Sequence, residues 1–202
     1  VRGFTQSRLH RKEGLQDADI GKLQRYCSDL PPTPQNLRLR ALVALFLFQG
    51  LRQIEVVRLD VRDIDLRNKT AFIRGKGRDD KEPIHLHPST VRVLREYLNH
   101  YRFRSGALFR SDSNHCRGER LTTKSVREII KRVFAKLEIA GSVHGFRHFF
   151  ITKLIKSYKG ELLMVSKYSR HRSIQMLEVY NDEIIREQDL PRFYEVFKEI
   201  RI

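Results

Sequence analysis

Apolar positions recur at three- and four-residue spacing through most of this chain, and at two-residue spacing in one short region. Residues 37–48 are apolar on almost every side, which predicts a buried central helix, and Gly50 stands where glycine often ends one. Residues 123–137 carry Val126, Ile129, Ile130, Val133 and Leu137 on one face, with Lys124, Arg127, Lys131 and Lys136 opposite, an amphipathic helix. Another starts at Pro88-Ser89 and turns Val91, Leu94, Leu98 and Tyr101 inward. Residues 144–157 predict a helix packed through Phe146, Phe149, Phe150 and Leu154. A first helix is expected over about residues 17–27, capped by Asp17, before Pro31, Pro32 and Pro34 break the chain. Short helical pieces are expected at 161–168 and 174–180. Terminal helices are expected at 181–187 and 191–200, separated by Pro191, the last with a stripe of Phe193, Val196, Phe197 and Ile200.

The two-residue alternation lies between residues 61 and 86. Ala71 and Ile73, then Ile84 and Leu86, alternate with polar or exposed positions, and with residues 61–66 they predict a small three-stranded antiparallel sheet. Residues 75–81 are charged and glycine-bearing, hence an exposed hairpin tip. Residues 102–120 are polar, with no regular structure expected. The fold class is mainly α with a small antiparallel β-sheet at one edge.

Composition narrows the partner. At 202 residues, 40% of them hydrophobic, the chain supports a packed core and is not a disordered polymer. No run of 18 apolar residues exists to span a membrane, and residues 1–12 lack the apolar core of a signal peptide. Cys27 and Cys116 have neither metal-ligand spacing nor the density of a disulfide scaffold, which fits a reducing interior and a cytoplasmic location. Forty Lys and Arg against 24 acidic residues leave a net charge of +16, the signature of a polyanion binder, nucleic acid first.

The candidate chemistry is phosphate chemistry. His144-Gly145-Phe146-Arg147-His148 is followed by His171 and then by Tyr180, nine positions on. Far upstream, Arg52 follows Gly50-Leu51, and Lys76 stands between Gly75 and Gly77. A phosphodiester under attack spreads negative charge over its non-bridging oxygens, and arginine forks clamp such oxygens at any working pH. A tyrosine hydroxyl can attack phosphorus and hold it covalently, while a lysine or histidine gives the leaving alkoxide its proton. His144 and His148 lie four apart, as a metal pair would, but Gly145 stands where zinc hydrolases place glutamate, so no metal is expected. His148 is read instead as a packing or supporting residue. Gly75-Lys76-Gly77 lacks the longer glycine spacing of a nucleotide loop, so no nucleotide cofactor is expected either.

Three blocks together resemble the catalytic domain of the tyrosine recombinase, or phage-integrase, family. They are the arginine box from Gly50 to Leu59, Gly75-Lys76-Gly77, and the stretch from His144 to Tyr180. The resemblance covers about residues 15–180 and implies the DNA breaking-rejoining enzyme fold. It implies that Tyr180 attacks a phosphodiester to form a 3′-phosphotyrosine, that Arg52, Arg147 and His171 hold the transition-state charge, and that Lys76 protonates the leaving oxygen. His144 would assist proton transfer and Glu55 would support Arg52. Lys124, Arg127, Arg170 and Arg172 are candidate DNA contacts. The implied partner is double-stranded DNA, with a homo-tetramer on synapsed sites and a monomer in isolation. Residues 1–14 are then expected to be a basic linker from an N-terminal core-binding domain, 15–190 the catalytic domain, and 191–202 a C-terminal helix passed between protomers. Arg170 departs from the pattern, since most relatives have glycine before this histidine. Tyr168 is a competing nucleophile. A type IB topoisomerase and a catalytically silent DNA-binding protein are the alternative readings.

Overall fold

The computed structural model describes residues 14–75, 80–171 and 173–196, and divides the chain into two compact units, one ending at Phe149 and one beginning at Phe150. Lys76, Arg172, Phe197 and Ile200 lie outside the described residues, as does the expected linker apart from Gly14, and the side chains of Phe193 and Val196 are not described.

The first unit is built on α2 (Pro34–Gln49). Thr33 accepts a hydrogen bond from the Asn36 amide, Pro34 occupies the first turn where its missing N–H costs nothing, and Gly50 ends the helix at φ 57°. Leu42, Leu45 and Phe46 are fully buried. Helix α4 (Pro88–Tyr101) packs against α2, and Thr90 Oγ1 donates to Gln49 Oε1 at 2.7 Å inside that contact. Helix α1 (Asp17–Asp29) has Gln16, not Asp17, at its N-cap; the Asp19 carboxylate reaches back to the Gln16 amide at 2.9 Å, so the acid three residues on does the capping.

Strands β1 (Ile64–Asp65), β2 (Thr70–Arg74) and β3 (Lys81–His85) form the expected three-stranded antiparallel sheet, with Ala71 opposite Ile84. Ala71 and Ile73 are buried while Phe72 and Arg74 face out. The first strand is shorter than expected. Val61–Asp63 forms a single 3-10 turn instead, because the buried Asp63 carboxylate accepts the Asp60 amide at 2.9 Å and pairs with Lys81. Residues 102–120 are irregular, but Ala107, Leu108 and Phe109 are a buried plug within them. Backbone bonds from Leu108 to Leu59 and from Leu121 to Phe109, at 2.9 and 3.0 Å, hold the plug in place. Helix α5 (Thr123–Lys136) buries Val126, Ile130 and Val133 as its pattern requires.

Helix α6 (Val143–Ser157) carries the chain into the second unit, which continues with α7 (Leu162–Ser169) and α8 (Gln175–Val196). This unit has its own core of Ile151, Ile155, Val165, Leu177, Tyr180 and Ile184. The separate pieces expected at 174–180, 181–187 and 191–200 are one helix as far as Val196, and Pro191 lies inside it. A proline deletes one backbone bond and crowds the carbonyl four residues back. The turns on either side keep their own bonds, so the element continues. Among the described residues, no helix is long and apolar enough to cross a membrane.

Candidate active site

Arg52 is mounted at the junction of two helices. Gly50 closes α2, and Arg52 is the N-cap of α3 (Gln53–Val57). Glu55 braces it twice, accepting the Arg52 amide at Oε2 (2.7 Å) and the guanidinium Nη1 at Oε1 (2.9 Å). Glu55 is 1% exposed, whereas the Arg52 side chain keeps 33% of its surface. A carboxylate buried that far needs this charge and both bonds. The result is a guanidinium fixed at its root and open at its tip.

Helix α6 brings the second arginine to the same junction. Arg147 is 3% exposed, and its Nη1 donates to the Gly50 carbonyl at 2.7 Å. His144 lies one turn earlier on the same face and is exposed. Phe146 anchors the helix, its ring 5.8 Å from Phe46 and 5.6 Å from Phe134. A concavity of about 340 Å³ opens here, lined by Arg52, His144 and Arg147 together with Thr123 and Arg127 from α5. Three guanidinium groups and an imidazole around one hollow are a donor set that can hold an anion. Lys124, also on α5, is exposed but does not line it. His148 packs its ring against Gly14, where any side chain would collide with it. No group of three or more His, Cys, Asp or Glu among the described residues could hold a metal ion.

A support that the pattern did not reveal holds the far end of α3. Arg120 donates to the carbonyls of Val57 and Leu59, at 2.8 and 3.0 Å, and pairs with Asp60 at 2.5 Å. This guanidinium keeps the Asp60 carboxyl below its ordinary range, the hydrogen bond contributing most. A polar loop arginine 63 residues from its partner leaves no local signal.

The second unit holds the remaining described candidates. Helix α7 ends in a left-handed residue, Arg170 at φ 56°, whose amide bonds Ser166 at 2.8 Å. The position where the family resemblance led to an expectation of glycine thus keeps a glycine-like conformation here, at a cost of about 1 to 2 kcal/mol for a residue with a Cβ. His171 follows, its Nδ1 2.8 Å from Ser169 Oγ. Tyr180 is 8% exposed, set among Ile151, Ile155, Val165, Leu177 and Ile184. Tyr168 is 47% exposed and stacks on Tyr158, with ring centroids 5.9 Å apart. Its hydrogen bond with Tyr158 raises the Tyr158 phenol above its ordinary value.

Comparison with known proteins bears on the family and the fold. A tyrosine recombinase XerC of Lactobacillus delbrueckii subsp. bulgaricus is 27% identical over 171 residues, which are 80% of this chain and 55% of the relative. One from Pelotomaculum thermopropionicum is 30% identical over 156 residues, covering 73% of this chain and 50% of the relative. The chain therefore spans about half the length of the curated relatives it matches. Among solved structures, the XerA recombinase superposes with a TM-score of 0.70 at 20% identity, over 94% of this chain and 66% of that one. The XerH site-specific recombinase bound to its difH substrate gives 0.69 at 22% identity, over 83% of this chain and 49% of that one. These likenesses carry the fold. The Phage integrase family itself matches residues 14–185, arginine box, second-arginine helix and Tyr180 included, and the chain belongs to it.

Proposed function

We propose that this chain is the catalytic portion of a site-specific DNA recombinase that cuts and rejoins strands through a 3′-phosphotyrosine. The observation that carries the proposal is the concavity in which Arg52, braced by Glu55, meets Arg147 and His144. Preorganised donors of this kind stabilise charge that develops on a phosphoryl group in the transition state. In this reading Arg52, Arg147 and His171 hold the non-bridging oxygens, and Tyr180 is the nucleophile. Lys76 gives the 5′-oxygen its proton, with His144 assisting, and Glu55 keeps Arg52 in register. Arg127 contacts a phosphate at the rim of the concavity, and Lys124, Arg170 and Arg172 contact the duplex nearby. The energy of the broken bond is kept in the phosphotyrosine, so rejoining needs no nucleotide.

Double-stranded DNA is the partner that the net charge of +16 favours, and the XerH and Tn1549 integrase structures are complexes with DNA. On synapsed sites four copies act together, each passing residues beyond Pro191 to its neighbour, whereas a copy off DNA is a monomer. The test is covalent capture. Nicked duplexes with a randomised central sequence trap the enzyme on DNA, because the short strand diffuses away after cleavage. Wild-type protein should become attached, and the recovered sequences should define the site. Tyr180→Phe should bind the site and give no adduct. An adduct that persists in that variant, or that maps to Tyr168, overturns the assignment.

A further inference from the structure

The concavity takes Arg52 from the N-cap of α3, and Thr123 and Arg127 from α5. Helix α3 is five residues long. A helix that short does not hold its own shape or direction in water, so contacts outside it must supply both. Glu55 serves at its start. At its end the last carbonyls lack partners within the helix. Arg120 meets that need: Nη1 donates to the Val57 carbonyl at 2.8 Å and to the Leu59 carbonyl at 3.0 Å, and Nη2 pairs with Asp60. The Leu59 carbonyl also accepts the Leu108 amide at 2.9 Å, which ties the same corner to the buried plug.

Arg120 is itself anchored where α5 begins. Its backbone bridges to Arg110, the Leu121 amide donates to the Phe109 carbonyl at 3.0 Å, and Thr122 caps α5 by accepting the Ser125 amide at 3.1 Å. Thr123, next in the chain, lines the concavity, and Arg127 follows about one turn on. Arg120 is not among the lining residues. Its guanidinium thus bonds the end of the element that bears Arg52 to the start of the element that bears Arg127. A planar fork with donors on separate nitrogens fixes direction as well as distance, which a point charge does not.

We propose that Arg120 is a positioning residue for Arg52: by tying the end of α3 to the start of α5, it sets where the Arg52 guanidinium stands relative to Arg127. The inference rests on the reading of Arg52 as a holder of transition-state charge. Such a group raises the rate only when it is already in place, and a misplacement of about 1 Å can cost roughly 100-fold. Arg120 acts through Arg52, so its effect should vanish when Arg52 is gone. A residue that only stabilises the fold would show no such dependence.

The test is a double-mutant cycle on the captured site. Single-turnover cleavage at saturating protein, duplex affinity and the salt dependence of that affinity are measured well below the unfolding midpoint of each variant. Arg120→Gln should slow cleavage by about 10- to 100-fold. Its duplex affinity and salt slope should match the wild type, because loss of a phosphate contact would lower the slope by about 1. In an Arg52→Ala background the same substitution should cost nothing further. Cleavage by Arg120→Gln at the wild-type rate overturns the proposal, as does an equal loss in both backgrounds. A weaker affinity with a shallower salt slope also overturns it, since Arg120 would then touch the DNA itself. If Arg120→Gln does not fold, Arg120→Lys replaces it in the same cycle. There the charge stays and the fork is lost, so the slowing should persist and depend on Arg52, and a wild-type rate overturns the proposal. An Arg52→Ala variant that cleaves normally overturns the underlying reading of Arg52 instead, an outcome separate from failure of Arg120 alone.

Discussion

Arg52 and Tyr180 are held by different physics. In the first unit, polar bonds do the work: Glu55 grips Arg52 at the backbone and at the guanidinium, and Arg147 hooks the carbonyl of Gly50. The Arg52 side chain keeps 33% of its surface while Arg147 is buried, and both line one concavity. In the second unit, Tyr180 is 8% exposed and packed among aliphatic side chains. A cation that steadies a transition state is useful only if it is in place beforehand, since reorganisation at the moment of reaction would cost what it gains. Arg52 is thus braced by an ion pair at a junction of helices, whereas Tyr180 sits in a core of aliphatic side chains, and each setting should fail in its own way.

The largest effect expected within this contrast comes from the polar region. Arg147→Ala should slow cleavage by about 100- to 1000-fold, or ~2.7–4 kcal/mol in the barrier, as loss of a transition-state donor does elsewhere. It should also lower stability by about 1 to 3 kcal/mol, because the Gly50 carbonyl loses its donor in a buried place. Arg147→Lys should recover little of the rate, since a point charge cannot replace a fork. A lysine variant that cleaves almost normally would show that charge alone suffices. Single-turnover cleavage and urea unfolding measure the two losses separately.

The apolar region should fail differently. Leu177 is fully buried beside Tyr180, and Leu177→Ala should cost about 2 to 5 kcal/mol of local stability. Hydrogen exchange should speed up in α7 and α8 but not in α2. Protection lost equally in both places would mean that the two units unfold as one.

Arg170→Gly should be stabilising, by up to about 1 kcal/mol, because glycine takes the left-handed conformation without steric cost but loses more chain entropy on folding. A lower urea midpoint would mean that the arginine side chain contributes more than its backbone costs.

The smallest effect concerns the Asp60–Arg120 pair. The folded Asp60 carboxyl is held below its ordinary value, so its contribution is full above the unfolded pKa and is lost as pH falls through the depressed folded one. Arg120 is 41% exposed, so the ionic part should be under about 1 kcal/mol. Arg120→Gln should therefore be destabilised at neutral pH, and the gap should narrow in acid. Its remainder would be the lost bonds to Val57 and Leu59. A gap that does not change with pH would remove the ionic role.

Much of this was legible before any coordinates, for identifiable reasons. A run apolar on almost every side and closed by a glycine predicts a buried helix, and α2 ending at Gly50 fulfils it. The spacing of His144 and Arg147 put them on one helical face, and they line one concavity. What stayed hidden depended on partners distant in the chain or on strained backbone. Arg120 acts across 63 residues on a carbonyl that has no sequence signature. Asp63 turned an expected strand into a 3-10 turn through its own carboxylate. Tyr97 was not among the residues read as α4's inward face, yet it is buried, and its partner, the Leu108 carbonyl, belongs to a loop read as polar. Pro191 was read by its local rule, which a long helix overrode.

Helix α8 has a mechanical consequence. From Tyr180 to Val196 the backbone follows one helical path, about 24 Å long at 1.5 Å per residue. A rod of that kind carries axial push and twist with little loss, so a load applied near Val196 is felt at Tyr180. Its softest joint is Pro191, where one rung of the ladder is missing. A small torque there would be spent as bending, whereas a pull along the axis would reach Tyr180 largely undiminished.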